Sequence, residues 1–348
     1  PNMAEPQWGH SLQDWMQNAG ADLLYENSTL PLTLTKASGP RASCYITSPK
    51  IAWFDYAIQE VSGQFLLKIS LQLLAKFASW MGLNDNTIVG NFPVSTNVWL
   101  LEQYSHILET CKLKAQSQEQ RFVFVRNLLL HQHGTLIQEL KSIGFVLLPA
   151  RVIYEFDLRQ GLQKKPSHLM RDLSALKKSS FKALQVKHID EKEAAWLQHL
   201  YDLIYIQKHS VFNARYTSIF FLEMINSNQM SSLCLKDEHD QTIAFALLYQ
   251  IGDTLTVPAL GYLENDKGPG IYRLLFAAIF NYTLEKGLLL NYSSGAGDFK
   301  RKRGAQDRLE YTAVKAPPSF LNWKSKLLGF ASKKAEQITS SDLIQRGA

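Results

Sequence analysis

The sequence predicts a mixed α+β fold of layered α/β type, with mixed central sheets flanked by helices and gathered into two lobes. Three observations carry this reading. The chain has 348 residues, more than twice the length of an ordinary domain. Over 121–157 a strand, a helix and further strand text follow one another. Over 230–292 three strands in a meander precede a helix and another strand, an order of β-β-β-α-β that narrows the architecture.

Element by element, residues 12–24 carry apolar residues at helical spacing and suggest a short amphipathic helix, followed by the polar stretch 26–29. Residues 64–80 (QFLLKISLQLLAKFASW) place Leu66, Leu67, Ile69, Leu71, Leu73, Leu74, Phe77 and Trp80 on one wide apolar face, which predicts a buried helix. Residues 84–87 break it, and 88–98 (IVGNFPVSTNV) read as strand and loop, because Pro93 limits regular pairing. Residues 121–130 (RFVFVRNLLL) read as a strand, followed by a helix at 135–143 with Gly144 closing it at a C-cap position. Short strands at 145–148 and 152–156 flank Pro149.

A basic connector follows at 164–187, with Lys164, Lys165, Arg171, Lys177, Lys178, Lys182 and Lys187 around Leu169, Leu173, Leu176 and Phe181 at helical spacing. It reads either as a solvated amphipathic helix or as a nucleic-acid surface. Helices at 191–208 and 217–227 come next, the second with Thr217 as N-cap. The meander runs through strands at 230–236, 242–251 and 254–262, with Gly252-Asp253 as a hairpin turn. A helix at 272–286 ends at Gly287, before a strand at 288–292. Residues 320–335 set Phe320, Trp323, Leu327 and Leu328 against Lys324, Lys326, Lys333 and Lys334, a pattern open to packing on the domain or to contact with an anionic membrane face. The resulting division is an extension at 1–35, a first lobe at 36–158, a second lobe at 159–316 and a helix and tail at 317–348.

Composition excludes whole classes. With 46% hydrophobic, 20% charged and 11% aromatic residues, the chain is neither disordered nor a disulfide-stapled scaffold. Cys44, Cys111 and Cys234 lie far apart without a CxxC pair, so buried reduced thiols are expected rather than zinc or disulfides. His131 and His133 share a face if the strand continues, but no third ligand is near, and no metal is expected. No Gly-x-Ser-x-Gly elbow marks a serine hydrolase. No apolar run approaches the ~20 residues of a membrane span, and 1–17 lack the pattern of a secretory signal. A bacterial cytoplasmic location, or one at the periphery of the inner membrane, is therefore expected. The charge of +6 favours phosphate-rich or otherwise acidic partners.

The glycine-containing turn between the third strand of the meander and its helix resembles that of the GNAT acyltransferase fold. In that family an Arg/Gln-x-x-Gly-x-Gly/Ala loop and the helix N-terminus bind the pyrophosphate of acyl-coenzyme A. The corresponding text is Asn265-Asp266-Lys267-Gly268-Pro269-Gly270. Both glycines are kept, Asn265 stands where the family has Arg or Gln, and Pro269 removes one N–H. Residues 203–221 (LIYIQKHSVFNARYTSIFF) and 291–311 (NYSSGAGDFKRKRGAQDRLEY) resemble the C-terminal half of the Fem-type branch. That branch comprises peptidoglycan aminoacyltransferases and related bacterial N-acyltransferases, with a Gly-rich loop followed by Phe/Tyr-Lys. The text at 94–97 (VSTN), Arg126-Asn127 and 151–157 (RVIYEFD) is similar in layout to a first, degenerate lobe.

The resemblance implies two tandem GNAT-like lobes over about residues 40–316, and an N-acyltransferase that moves an acyl or aminoacyl group to a small-molecule amine held between them. The donor would be acyl-coenzyme A, an acyl carrier protein or an aminoacyl-tRNA, and no metal is required. Gly268, Gly270, Ile271, Tyr272 and Arg303 are the expected donor-binding residues. Asp298, as proton acceptor, and Lys300 are the expected catalytic residues, and Asn97, Arg126 and Arg215 are expected to hold the acceptor. The competing class is a non-catalytic RNA- or membrane-docking protein built on a degenerate GNAT fold, for which the basic surface alone would suffice.

Overall fold

The computed structural model describes residues 21–26, 32–37, 43–55, 58, 65–92, 94–117, 121–264 and 270–317. The chain forms two compact units, Met16–Val152 with Leu309–Ala348, called the first lobe below, and Ile153–Arg308, called the second, to which residues 1–15 are also assigned. The expected helix at 320–335 lies outside the described residues, as does most of the one at 12–24.

In the first lobe β1 (Ala21–Glu26) pairs antiparallel with β2 (Leu32–Ala37). Residues 21–24 are thus strand and not the end of a helix. The next element, α1 (Phe65–Trp80), forms as its periodicity predicts, but not as a buried helix. It turns Ala75 and Ala78 inward, while Leu73 and Trp80 are each 62% exposed and Ile69 and Leu74 are also exposed. Small residues let the helix sit close to its neighbours, and the large apolar ones fall on the opposite side.

The strand β3 (Asn86–Val89) runs antiparallel to β2 and parallel to β4 (Phe122–Leu129). Between them lies α2 (Tyr104–Gln116), which buries Tyr104, Ile107, Leu108, Cys111 and Ala115 on one stripe. Helix α3 (Leu130–Ser142) starts five residues before the expected position. His133 Nδ1 accepts the backbone N–H of Leu129 at 2.9 Å, an end cap that supplies the turn's missing acceptor, so His131 and His133 are helical. The strand β5 (Val146–Asp157) is continuous through Pro149, correcting the two short strands expected there. Proline's φ suits an extended chain and removes one ladder donor only. Residues 310–315 close the first lobe's sheet antiparallel to β4.

In the second lobe the basic connector is not one helix. After α4 (Ser167–Lys178), Ser179 Oγ donates to the Leu176 carbonyl at 2.7 Å and ends the helix. The chain then forms β6 (Lys182–Val186). The helix α5 (Glu191–Asp202) begins at an Asp190 cap and continues as a wide turn over Leu203–His209. Thr217 caps α6 (Ser218–Asn226), as expected. Then come β7 (Ser231–Lys236), β8 (Thr242–Ile251), β9 (Thr254–Thr256), β10 (Leu260–Tyr262), α7 (Ile271–Lys286), β11 (Leu289–Asn291), α8 (Gly297–Arg301) and β12 (Gln306–Lys315). The sheet runs β6-β7-β8-β9-β11 and then the end of β5, antiparallel throughout except that β9 and β11 are parallel. The third meander strand is therefore two strands.

The core of this lobe gathers around α7, whose Phe276 and Phe280 pack on Phe156 at ring separations of 5.6 and 5.7 Å. One buried carboxylate organises its polar side. Asp172 of α4 is fully buried and accepts Arg273 Nε of α7 at 2.8 Å and Arg303 Nε at 2.6 Å. Asp172→Asn leaves two guanidinium groups without their anion and is expected to lower stability by about 3–5 kcal/mol, read as a fall in the urea midpoint. Gly261 of β10 lies against the backbone of α5, where an added Cβ would stand 2.5 Å from the Leu200 carbonyl carbon and 2.6 Å from Tyr201 N. Gly261→Ala is expected to cost about 1–3 kcal/mol. Gly270→Ala, with nothing within 4 Å of the new carbon, should unfold within about 0.5 kcal/mol of the wild type in the same titration.

Candidate active site

The site begins with a break in the second lobe's sheet. The ladder between β9 and β11 runs from Thr254 opposite Leu289 to Thr256 opposite Asn291 and stops there. Val257, Pro258 and Ala259 follow, and Pro258 has no N–H to offer. β10 resumes on β8 alone. Leu247 N donates to the Ala259 carbonyl at 2.8 Å and Leu263 N to the Ile243 carbonyl at 2.9 Å, so 259, 261 and 263 are the positions bonded to β8. By antiparallel alternation, Leu260 and Tyr262 aim their N–H and C=O groups at the opposite edge, the side on which β9 meets β11. No strand takes these groups among the described residues. The two strands thus diverge and leave oriented backbone donors along the gap.

Three phenols stand at the lips of the gap. Tyr262 ends β10, Tyr272 lies in the first turn of α7, and Tyr292 follows β11. The rings of Tyr262 and Tyr272 are 5.8 Å apart, and Tyr292 packs edge-on against Phe276 at 5.4 Å. Burial pushes the Tyr272 phenol up to about 12, raises Tyr262, and drives Tyr292 well above the ordinary tyrosine value. All three therefore keep their protons at neutral pH and act as donors. The buried Tyr292 hydroxyl has no hydrogen-bond partner of proper geometry among the described residues. Its charge neighbours are other tyrosines, Tyr272 first. An exposed ion pair of Lys208 with Glu264 lies beside Tyr262. The α7 start has Gly270 as cap, no acidic side chain in its first turn and no side-chain cap, so among the described residues nothing compensates the positive end of the helix dipole there.

The residues expected from sequence fall in several places. Gly268 lies outside the described residues, whereas Gly270, Ile271 and Tyr272 form the α7 start. Lys300 is 3% exposed, and its ammonium donates to the carbonyls of Tyr292, Ser293 and Ser294 at 2.7, 3.2 and 2.8 Å. It also rests on the rings of Tyr154 and Tyr292. Its three N–H bonds hold a loop in which Ser293, Gly295 and Ala296 all have positive φ, so the ammonium faces backbone and not an incoming phosphate. Arg303 is likewise buried, paired with Asp172 and stacked 3.4 Å from the Phe299 ring centre. One helical turn sends 300 and 303 inward, so the expected catalytic Lys300 and donor-binding Arg303 are both engaged by groups of the chain itself.

Asp298 is exposed and paired with Arg301 at 2.7 Å, a charged residue in the first turn of α8, where the dipole favours it. Gly297 makes room for the Tyr154 ring, whose hydroxyl an added Cβ would strike. Arg215 is exposed and acts electrostatically on Asp202, while neighbouring Asn213 donates to the Tyr205 carbonyl at 2.9 Å. In the first lobe Asn97 and Arg126 do come together, since both donate to Asn91 Oδ1, at 3.3 and 2.8 Å. Sequence reasoning missed Tyr262, Tyr292 and Arg151. The two tyrosines had one visible signal, their position at the ends of the strands that flank the helix. Among the described residues no three His, Cys, Asp or Glu side chains are grouped to hold a metal, and no helix is long and apolar enough to cross a membrane.

No family model and no curated protein matches the sequence. Solved structures do match over nearly the whole chain. L-PGS from Bacillus licheniformis is 13% identical, with 93% of this chain and 93% of that chain covered and a TM-score of 0.55. The C-terminal domain of a putative lysylphosphatidylglycerol synthetase from Agrobacterium fabrum is 11% identical, with 93% and 91% covered and a TM-score of 0.54. FemX is 8% identical, with 87% and 90% covered and a TM-score of 0.51. At these identities the likeness bears on architecture and not on individual residues. The mixed α/β layers of this chain follow the fold of FemX and of the two L-PGS structures.

Proposed function

We propose that the second lobe is an acyltransferase that moves an acyl or aminoacyl group from a phosphate-bearing donor to the amine of a small acceptor. The observation that carries this reading is the divergence of β10 from β11, which directs the backbone groups of Leu260 and Tyr262 into an open edge of the sheet. A donor carbonyl lying there accepts an N–H bond and is polarised before attack, an effect of fixed dipoles that needs no charged side chain. The uncapped α7 start suits the donor's phosphate. The likeness to L-PGS and FemX supports the transferase class.

In the reaction the amine nitrogen attacks the carbonyl carbon and a C–N bond forms. The C–S bond of a thioester, or the C–O bond of an aminoacyl ester, breaks. The leaving thiolate or alkoxide takes a proton from Tyr272 or Tyr292, and the surplus amine proton passes to solvent, from which the phenol is reprotonated. Phenols held protonated by burial fit the acid role better than the exposed, ion-paired Asp298 fits the base role. The donor is acyl-coenzyme A, an acyl carrier protein or an aminoacyl-tRNA. The exposed Lys177, Lys178, Lys182 and Lys187 favour the larger, phosphate-rich ones.

Thermal stability of the full chain with acetyl- and long-chain acyl-coenzyme A and with total tRNA, at low and high salt, is the first test. A shift with one donor class is expected, salt-sensitive if the donor is tRNA. No shift with any of them would remove the reading. With a donor in hand, Tyr272→Phe with Tyr292→Phe is expected to lower turnover about 10²-fold while the donor's Kd stays the same. The same phenols set an alkaline limit. Unfolded tyrosine ionises near pH 10 and Tyr272 in the fold at about 12, so between these values the unfolded chain holds fewer protons and stability falls as pH rises. Tyr272→Phe should make that fall shallower in urea titrations at pH 9 and 11.

A further inference from the structure

We propose that the first lobe contains an oxyanion-binding site of its own, formed by the guanidinium groups of Arg126 on β4 and Arg151 on β5 and suited to a carboxylate or a phosphate. The inference is independent of whether the second lobe transfers acyl groups. It starts from a count of donors. A guanidinium has five N–H bonds and no acceptor. Arg126 uses Nη1 on the Ile46 carbonyl at 2.9 Å and on Asn91 Oδ1 at 2.8 Å, and Nη2 on the Ser95 carbonyl at 3.2 Å. Its Nε–H and one N–H of Nη2 have no acceptor among the described residues. Arg151 uses Nε on Glu310 at 2.8 Å and Nη2 on the Ser95 carbonyl at 2.8 Å and Thr96 Oγ1 at 3.0 Å. Its Nη1 likewise has no acceptor among the described residues.

The charge count points the same way. The two guanidiniums converge on one oxygen, that of Ser95, close enough that each raises the cost of the other's charge. Glu310 is the carboxylate that acts on both, and it lies on Arg151. Cys44, also beside Arg126, is kept as the neutral thiol by burial. Among the described residues no second carboxylate acts on both arginines, and Tyr45 is the other group that does, an arrangement that costs stability unless an anion joins it. Arg151 is 22% exposed, so an anion can reach the pair. The fork of N–H bonds matches the two oxygens of a carboxylate or phosphate.

The surroundings hold this geometry. Asn127, next to Arg126, has a φ of +58°, a conformation that asparagine tolerates better than most residues. Its Oδ1 accepts from Asn97 N at 3.0 Å and Asn97 Nδ2 at 3.1 Å, and its Nδ2 donates to the Ser95 carbonyl at 3.3 Å. The loop that presents Ser95 to both arginines is therefore tied to the strand that carries one of them. Elsewhere in the chain, the buried Arg303 and Lys300 have an anion or a full set of carbonyls. The first-lobe pair differs in meeting on one carbonyl oxygen.

The test is calorimetric titration of the full chain with inorganic phosphate and, separately, acetate, each against sodium chloride of equal ionic strength. Saturable binding of at least one is expected, and which of them binds distinguishes a phosphate from a carboxylate ligand. Arg126→Gln should weaken it at least 10-fold, while the double variant Lys177→Gln, Lys178→Gln on α4 should leave it unchanged. If Arg126→Gln does not fold, Arg151→Lys, which keeps the charge but loses the fork, should also weaken it. Glu310→Gln, which removes the competing carboxylate, should bind no more weakly than the wild type. Absence of saturable binding by the wild type overturns the proposal, and so does undiminished binding by a folded Arg126 variant or its loss in the α4 variant. Anion binding without acyl transfer would leave this site standing and remove the transferase reading; transfer without anion binding would do the reverse.

Discussion

Much of the second lobe depends on a one-residue shift of register around Val257–Ala259. A continuous strand from Thr254 to Tyr262 would pair along its whole length with β11 and close the sheet. Instead the register against β8 shifts by one between Thr256, opposite Tyr249, and Leu260, opposite Ala246, the ladder to β11 ends at Thr256, and the strand keeps only its partner on the β8 side. The freed edge then needs support from a face of the sheet. Gly261 provides the place for it, since without a side chain there the backbone of α5 reaches the strand directly. A helix held at that distance cannot give way easily, and β10 keeps its divergent course. The gap is therefore built by a shift of backbone register and a glycine, neither of which contributes chemistry of its own.

Beside this gap the lobe turns two of its cations inward. Lys300 and Arg303 lie only a few residues beyond β11, yet both are turned into the interior, one onto three carbonyls and the other onto Asp172. Asp172 also takes Arg273 from α7, so a single carboxylate joins α4, the helix that opens beside the gap and the segment after α8. Removing one partner of such a buried set is costly even where the set itself adds little to stability. Its effect here is positional: it fixes where α7 begins, and hence where Tyr272 stands. Protonated phenols stand at the gap beside the Lys208–Glu264 ion pair, and polarisation of a carbonyl by backbone N–H groups needs no further charge there.

Legibility in the sequence followed the range of the interactions. Turns and caps set by neighbours were readable: Thr217 caps α6, Gly287 ends α7 in a left-handed conformation, and β8 has the bounds its alternation predicts. Elements decided by distant partners were not. β12 (QDRLEYTAVK) is rich in polar residues at its start, and Arg308 and Glu310 are satisfied by Glu155 and Arg151, each more than 150 positions away. The cations of 300–303 read as a surface run because sequence proximity suggests a shared exposure. A helix separates them by its period, and Asp172, 131 positions before Arg303, decides which side is inside. The arginine pair of the first lobe was half visible for the same reason: Arg126 ends an apolar strand, but nothing near it in sequence announces Arg151.

The arrangement of the arginine pair bears on what the first lobe is for. A lobe that served only as a scaffold would gain from neutralising its interior or from replacing the pair with apolar residues of similar size. The first lobe instead holds two guanidiniums on one carbonyl and anchors that carbonyl with an asparagine of positive φ. Each of these features opposes stability in isolation, since like charges repel and left-handed backbone is strained. They are mutually consistent once an anion completes the set, because it takes up the unused N–H bonds and the surplus charge together. On the two proposals the lobes treat two different chemical groups separately: a carbonyl polarised at the gap of the second and an anion held by the arginine pair of the first.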